Sequence, residues 1–149
     1  MFIVCDTTYL PFIAKAVGCQ ISPLGQCIMC VDEKTRAPIA GVAYDGYNGA
    51  IIHAHIWVDA ERRPSPEWLA AIFDYPFNRL QVHKIVGQVN SGNMEARKLD
   101  EHFGFVLEAT VKEFYDDGND LLVYTMRRDQ CRVLTSRRWA SVMERISRI

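Results

Sequence analysis

The sequence has no apolar run long enough to cross a bilayer as a helix; the longest, Ile51-Ile52 and Ile56-Trp57-Val58 among them, are short and broken by His or Asp. The N-terminus, Met1 to Asp6, lacks a basic segment followed by an apolar one and a small-residue cleavage site. No signal peptide is read there, and the expected location is the cytoplasm. Cysteine is sparse and irregular. The five cysteines, Cys5, Cys19, Cys27, Cys30 and Cys131, are an odd number without the spacing of a secreted disulfide scaffold, which fits reduced thiols. Cys27 and Cys30 have the spacing of half a zinc site, but no second pair exists, and residues three apart on a strand face opposite ways. Buried apolar thiols are expected, and no metal. Repeats, low-complexity stretches and an interdomain linker are also missing.

What is present suffices for one compact domain over 1–149, since 49% of its residues are apolar. The net charge of -1 is unevenly spread: residues 1–126 hold ten Lys/Arg against sixteen Asp/Glu, whereas 127–149 hold seven Arg against Asp129 and Glu144. The tail is either a solvated basic helix folding back on an acidic body or the place for an anionic partner.

Phe2 to Cys5 reads as a strand, and Thr7 or Thr8 as the cap of a helix running to Val17 and stopped by Gly18. Strands follow over Gln26 to Asp32, Ile39 to Tyr44 and Ala50 to Val58, separated by polar or glycine-containing turns; this is an antiparallel meander. Ser65, Pro66 and Glu67 then start a helix with a hydroxyl cap, a first-turn proline and a first-turn acid. Val82 to Val89 is a buried strand, Asn93 to Phe103 a helix closed by Gly104, and Phe105 to Phe114 with Leu121 to Met126 a hairpin turning at Asp116 to Asn119. Ser136 caps a last helix, with Trp139, Val142, Met143, Ile146 and Ile149 on one stripe opposite Arg138, Arg145 and Arg148.

Four residues in this order carry a family resemblance. Asn93, then Ala96 three residues later, then Gly104-Phe105 after a buried strand and before a hairpin, are similar to the second core helix of the GNAT N-acyltransferases. The resemblance covers about residues 26–128. It implies an α+β fold with a mixed, mostly antiparallel central sheet flanked by helices, here with an extra C-terminal helix over 135–149. Ile72 to Asn78 and Tyr124 to Arg132 further resemble a subgroup frequent in tailed-bacteriophage genomes, which would place the protein in a host cytoplasm.

The resemblance also implies a chemistry: acetyl transfer from acetyl-coenzyme A to a primary amine that attacks directly. The pantetheine arm would slot between two splayed parallel strands, 50–58 and 84–89, as a pseudo-strand, and a backbone N–H near Trp57 or Val58 would polarise the thioester carbonyl. Asn93 matches the family's coenzyme-contacting residue, and the expected binding set adds Arg62, Arg63, Ser65, Asn90, Arg97 and Phe103. His55 is the first candidate for the base because imidazole titrates near neutrality; Glu61 or a relayed water competes.

Two positions depart from the family. Its glycine-rich pyrophosphate loop is absent: counted from Arg63 the glycine positions fall on Pro66 and Trp68, and counted from Arg62 on Ser65 and Glu67. Arg62 and Arg63 are therefore expected to supply charge that the loop's backbone no longer supplies. Asp100 stands where many members have a proton-donating Tyr, and it is expected to be an exposed helix residue. The alternative function is a catalytically inactive GNAT-like module that binds protein or nucleic acid through its Arg-rich C-terminus. A direct nucleic-acid binder would need aromatic residues among its arginines, and the tail has only Trp139. The apolar stripe of the last helix has two coverings open to it, the chain's own sheet or a second copy, and the second makes a homodimer the further partner expectation.

Overall fold

The computed structural model describes residues 1–147. Its strands are β1 (Phe2–Val4), β2 (Gln26–Val31), β3 (Pro38–Asp45), β4 (Ile51–Val58), β5 (Lys84–Asn90), β6 (Val106–Val111) and β7 (Leu121–Met126). The helices are α1 (Leu10–Val17), α2 (Pro66–Asp74), α3 (Met94–Phe103), a single turn α4 (Arg132–Thr135) and α5 (Arg137–Ser147). All seven strands form one sheet in the order β1-β2-β3-β4-β5-β7-β6.

The meander β1 to β4 is antiparallel throughout, and β5 pairs with β7, and β7 with β6, in the same sense. Only β4 and β5 run parallel. A parallel pair needs a long crossover, and α2 provides it. Ser65 starts α2 as its sequence suggests: the Ser65 hydroxyl accepts from the Trp68 N–H, and Pro66 occupies the first turn. Ser65→Ala is expected to lower stability by about 1 kcal/mol, read as a fall in the urea midpoint.

Side-chain alternation along β2 divides the core between the two faces of the sheet. Ile28 and Cys30 point to the larger cluster, built with Trp68, Phe73, Ile85, Phe103 and Tyr124. Cys27, Met29 and Val31 point to a smaller one with Leu10 and Ile13 of α1. Cys27 and Cys30 therefore lie on opposite faces, as their three-residue spacing requires. Trp68 is fully buried, and its indole N–H donates to the Ile28 carbonyl at 2.9 Å, so burial leaves no unpaired donor.

The last helix packs inside the chain. Val142 is buried and Trp139, Met143 and Ile146 are partly buried against the larger cluster, where α5 lies on α2. Arg145 pairs with Glu67 of α2 at 3.0 Å, so this part of the basic tail folds back on the body. Of the two coverings open to the stripe, the structure shows the one within the chain, with α2 as its partner. Arg148 and Ile149, placed on that helix by the sequence, lie outside the described residues.

Two local expectations are corrected. Asp6, not Thr7 or Thr8, is the capping side chain: its carboxylate accepts from the Thr8 N–H at 3.0 Å and starts the single 3-10 turn Thr7–Tyr9 that leads into α1, which has no side-chain cap of its own. The strand expected over Phe105 to Phe114 is shorter, because Glu113 adopts a positive φ of 51° and the chain turns there. The two segments that carry the bacteriophage resemblance meet: the Arg128 guanidinium donates to the Asn78 carbonyl, while the Asn78 amide donates to Asp74 at 2.7 Å.

Candidate active site

Pairing between β4 and β5 lasts only three residues, from Ile51↔Lys84 to His53↔Val86. Beyond that point β4 stays bonded to β3 as far as Val58, and β5 to β7 as far as Asn90. The two strands must therefore part. A cavity of about 390 Å³ fills the gap, lined by Ala54 to Val58 on one side and Gly87 to Asn90 on the other. It is closed at one face of the sheet by the end of α1 and at the other by α3, so it passes between the strands from face to face.

His55, Trp57, Val58, Asn90 and Asn93 of the expected site all line this cavity. Asn93 is also the cap of α3: its side-chain oxygen accepts from the Ala96 N–H at 3.1 Å, leaving its amide nitrogen without a partner among the described residues. Glu61, Arg62, Arg63, Ser65, Arg97 and Phe103 are not in the wall. Glu61 and Arg63 are exposed on the loop before α2, and Arg62 pairs there with Asp32 at 2.9 Å. Ser65 is a cap, and Phe103 is a core residue stacked edge-on against Phe73. Arg97 donates to the Ser91 carbonyl at 3.3 Å, and its Nε is buried without a hydrogen-bond partner among the described residues.

Asp100 overturns its expectation. It is 8% exposed and lines the cavity rather than the solvent face of α3. The reason is helical spacing: Ala96, Asp100 and Phe103 fall on one stripe, which packs inward. Room for the carboxyl is made by Gly87, since a Cβ there would come within 3.2 Å of Asp100 Oδ2. No hydrogen bond to it is made among the described residues. Burial, helped by the neighbouring Glu101 charge, pushes its pKa up to about 7.

A second constellation joins residues distant in sequence. His55 is buried, and both of its ring nitrogens are engaged: Nε2 lies 3.0 Å from Asp45 Oδ1, and Nδ1 lies 3.2 Å from Cys19 Sγ. Burial works against the Asp45 charge, but the Ser22 N–H at 3.0 Å and His55 outweigh it and hold the carboxyl below its usual range. An ionised Asp45 only accepts, so Nε2 carries the proton and Nδ1 is the acceptor for the Cys19 S–H. Burial and the Asp45 charge push the Cys19 thiol up to about 11. The sequence singled out His55 but not its partners. Asp45 lies ten residues away across the β3–β4 hairpin, within reach of a cross-strand argument; Cys19 follows the left-handed Gly18 cap of α1, and no local pattern announces its contact.

A mixed seven-stranded sheet, mostly antiparallel and opened between its parallel pair, with helices on both faces, is the fold of the GNAT acyltransferases. Among solved structures, a mutant spermidine/spermine N-acetyltransferase SpeG from Vibrio cholerae superposes with a TM-score of 0.65 at 18% identity, over 86% of this chain and 95% of that one. A dodecameric spermidine N-acetyltransferase from the same organism gives 0.65 at 19% identity, over 90% and 96%. Ribosomal-protein-S5-alanine acetyltransferase from Vibrio fischeri gives 0.58 at 19%, over 72% and 64%. No protein-family model matches the chain, and no curated protein matches it in sequence. No helix among the described residues is long and apolar enough to cross a membrane.

Proposed function

We propose that this protein is an acyl-coenzyme A-dependent N-acyltransferase that moves an acetyl group to a cationic primary amine. The observation that carries the reading is the parting of β4 from β5 after His53 and Val86, with a cavity in the gap. A pantetheine arm has the length and the amide groups to lie in such a gap as a strand surrogate. Asn93 lines that gap, and a backbone N–H near Trp57 or Val58 would meet the thioester oxygen as negative charge develops on it. Asp100, kept neutral by burial at pH values below about 7, is the donor for the departing sulfur. His55, oriented by Asp45, is the base; Glu61 lies outside the cavity.

The walls favour a cationic acceptor. Asp59 and Glu95 line the cavity, and no Lys or Arg does among the described residues. That the fold neighbours include enzymes for spermidine agrees with this choice. The coenzyme's phosphates would then be met outside the cavity, by Arg62 and Arg63 between Ala60 and α2. Arg62 is exposed, and a solvated ion pair of about 0–1 kcal/mol with Asp32 is readily exchanged for a phosphate.

The same absence of cavity cations favours a second reading, a GNAT-like module that has lost the coenzyme and acts by binding. Thermal melting with acetyl-coenzyme A decides between them. Ligand at a hundred times its Kd stabilises by about 2.7 kcal/mol, so a clear rise in Tm is expected. An unchanged Tm at millimolar coenzyme selects the binding module. In isothermal titration, Arg62→Ala/Arg63→Ala should weaken binding about tenfold, equivalent to two exposed phosphate contacts of about 0.7 kcal/mol each; unchanged affinity removes those arginines from the site.

A further inference from the structure

We propose that the acceptor is an arylalkylamine: one primary amine on a short alkyl chain that ends in an aromatic ring. The inference rests on the acyltransferase reading and names the substrate of that site. In that reading the donor belongs to the α3 face of the cavity, where Asn93 and Asp100 sit, and the acceptor is left the face closed by the end of α1. Two aromatic pairs frame this second face. Trp57 lines the cavity, and Phe12 of α1 meets it edge-on, with ring centroids 5.0 Å apart and planes at 82°. Tyr115, in the turn between β6 and β7, also lines the cavity, and Phe114 meets it edge-on at 5.0 Å and 81°. Tyr115 belongs to the α1 side: burial, then Cys19 and Asp117, hold its phenol above the usual range, and Cys19 directly follows the Gly18 cap of α1.

The outer rings are left open to solvent. Of the seven phenylalanines, Phe12 and Phe114 are the exposed ones, at 39% and 53%, and each is stacked on a ring of the cavity wall. Phe12 stands one helical turn before the wall residue Ala16, so α1 carries apolar surface outward from the cavity. An apolar patch continuous with a cavity is what the apolar body of a ligand covers. Contacts between rings add to what buried area alone contributes, so a ring is held here better than an alkyl chain of equal area. The charge on this face matches one ammonium. Of the acids in the wall, Glu95 and Asp100 belong to α3 on the donor side, whereas Asp59, next after β4, continues by the two-residue period the face of His55 and Trp57. A polyamine has several ammonium groups to pair and no ring to bury. The transfer itself is unchanged: the ammonium sheds one proton to solvent, the nitrogen bonds to the acetyl carbon, and the carbon–sulfur bond to the coenzyme breaks. His55 takes the second proton that the nitrogen loses, and Asp100 gives one to the departing sulfur.

The test is release of free coenzyme thiol by the full chain with acetyl-coenzyme A and, in turn, 2-phenylethylamine, hexylamine and spermidine. The expected kcat/KM for 2-phenylethylamine is about tenfold or more above that for either of the others, from ring contacts at two aromatic pairs. In Phe12→Leu/Phe114→Leu, which keeps apolar side chains at two exposed positions, that preference should fall about tenfold, chiefly through a higher KM for the aryl amine. Leu24→Ala, at an exposed apolar position before β2, should keep it. Equal or better use of hexylamine or spermidine overturns the inference and leaves the acyltransferase standing. A preference for the aryl amine that survives the double variant overturns it too, because the aromatic wall is then not its cause. Release with none of the three amines also overturns it, and thermal melting tells whether the acyltransferase reading falls as well: an unchanged Tm at millimolar acetyl-coenzyme A removes the donor.

Discussion

Asp100→Asn should make the protein more stable at pH 8 by roughly 2–4 kcal/mol while reducing its turnover about 100-fold. The carboxyl of Asp100 is buried beside Gly87, and burial raises its pKa from 3.8 to about 7. The folded chain thus keeps a proton that the unfolded chain loses. A raised folded pKa gives a stabilising contribution that is complete below about pH 4 and lost as the pH climbs through about 7. Asn has the same shape and no charge to bury, so the variant escapes that loss. Tm measured from pH 4 to pH 8 should fall in the wild type across this window and fall less in the variant. Initial rates supply the opposite sign, because an amide cannot give the coenzyme sulfur its proton. A buried acid with only a structural place would show the first effect and not the second.

Gly104→Ala should cost roughly 3–5 kcal/mol, enough to remove much of the stability of a chain this size. Gly104 ends α3 at a φ of 110°, with its N–H donating to the Asp100 and Glu101 carbonyls. A Cβ there would sit 2.1 Å from the Gln130 carbonyl oxygen. The next atom, the Gln130 carbonyl carbon at 3.2 Å, is backbone too, so neither can swing away as a side chain would. Relief requires moving the turn at Arg128 to Gln130, and with it the start of α4, whose Val133 is buried. The guanidinium-chloride midpoint measures the loss; a change below about 1 kcal/mol would show that the segment yields.

These residues also show how far the sequence could be read. Gly104 was legible as a helix stop because only glycine enters the left-handed region without penalty, and Ser65 because its hydroxyl pattern is local. Strand order at the meander followed from turns within a few residues. Asp100 was misread by residue type, since surface acids on helices are usually solvated, although its spacing from Ala96 and Phe103 put it on the inward stripe. The contact of Cys19 with His55 spans 36 positions and depends on how the chain leaves α1. No periodicity encodes it. The parting of β4 and β5 is likewise set by what each strand bonds on its far side, a property of the assembled sheet.

The β6–β7 hairpin, which brings Tyr115 to the cavity, is tied down at its tip. Asn90 donates to Asp117 at 3.0 Å and accepts from Asn119 at 3.0 Å, and Ser91 exchanges bonds with Asp120 through its backbone N–H and its hydroxyl. Gly92 leaves the space that the Asn119 amide occupies. The conformational entropy of that wall is thus surrendered during folding rather than at ligand encounter. Association should then follow a single exponential whose rate rises linearly with donor concentration, without the plateau that a closing loop imposes.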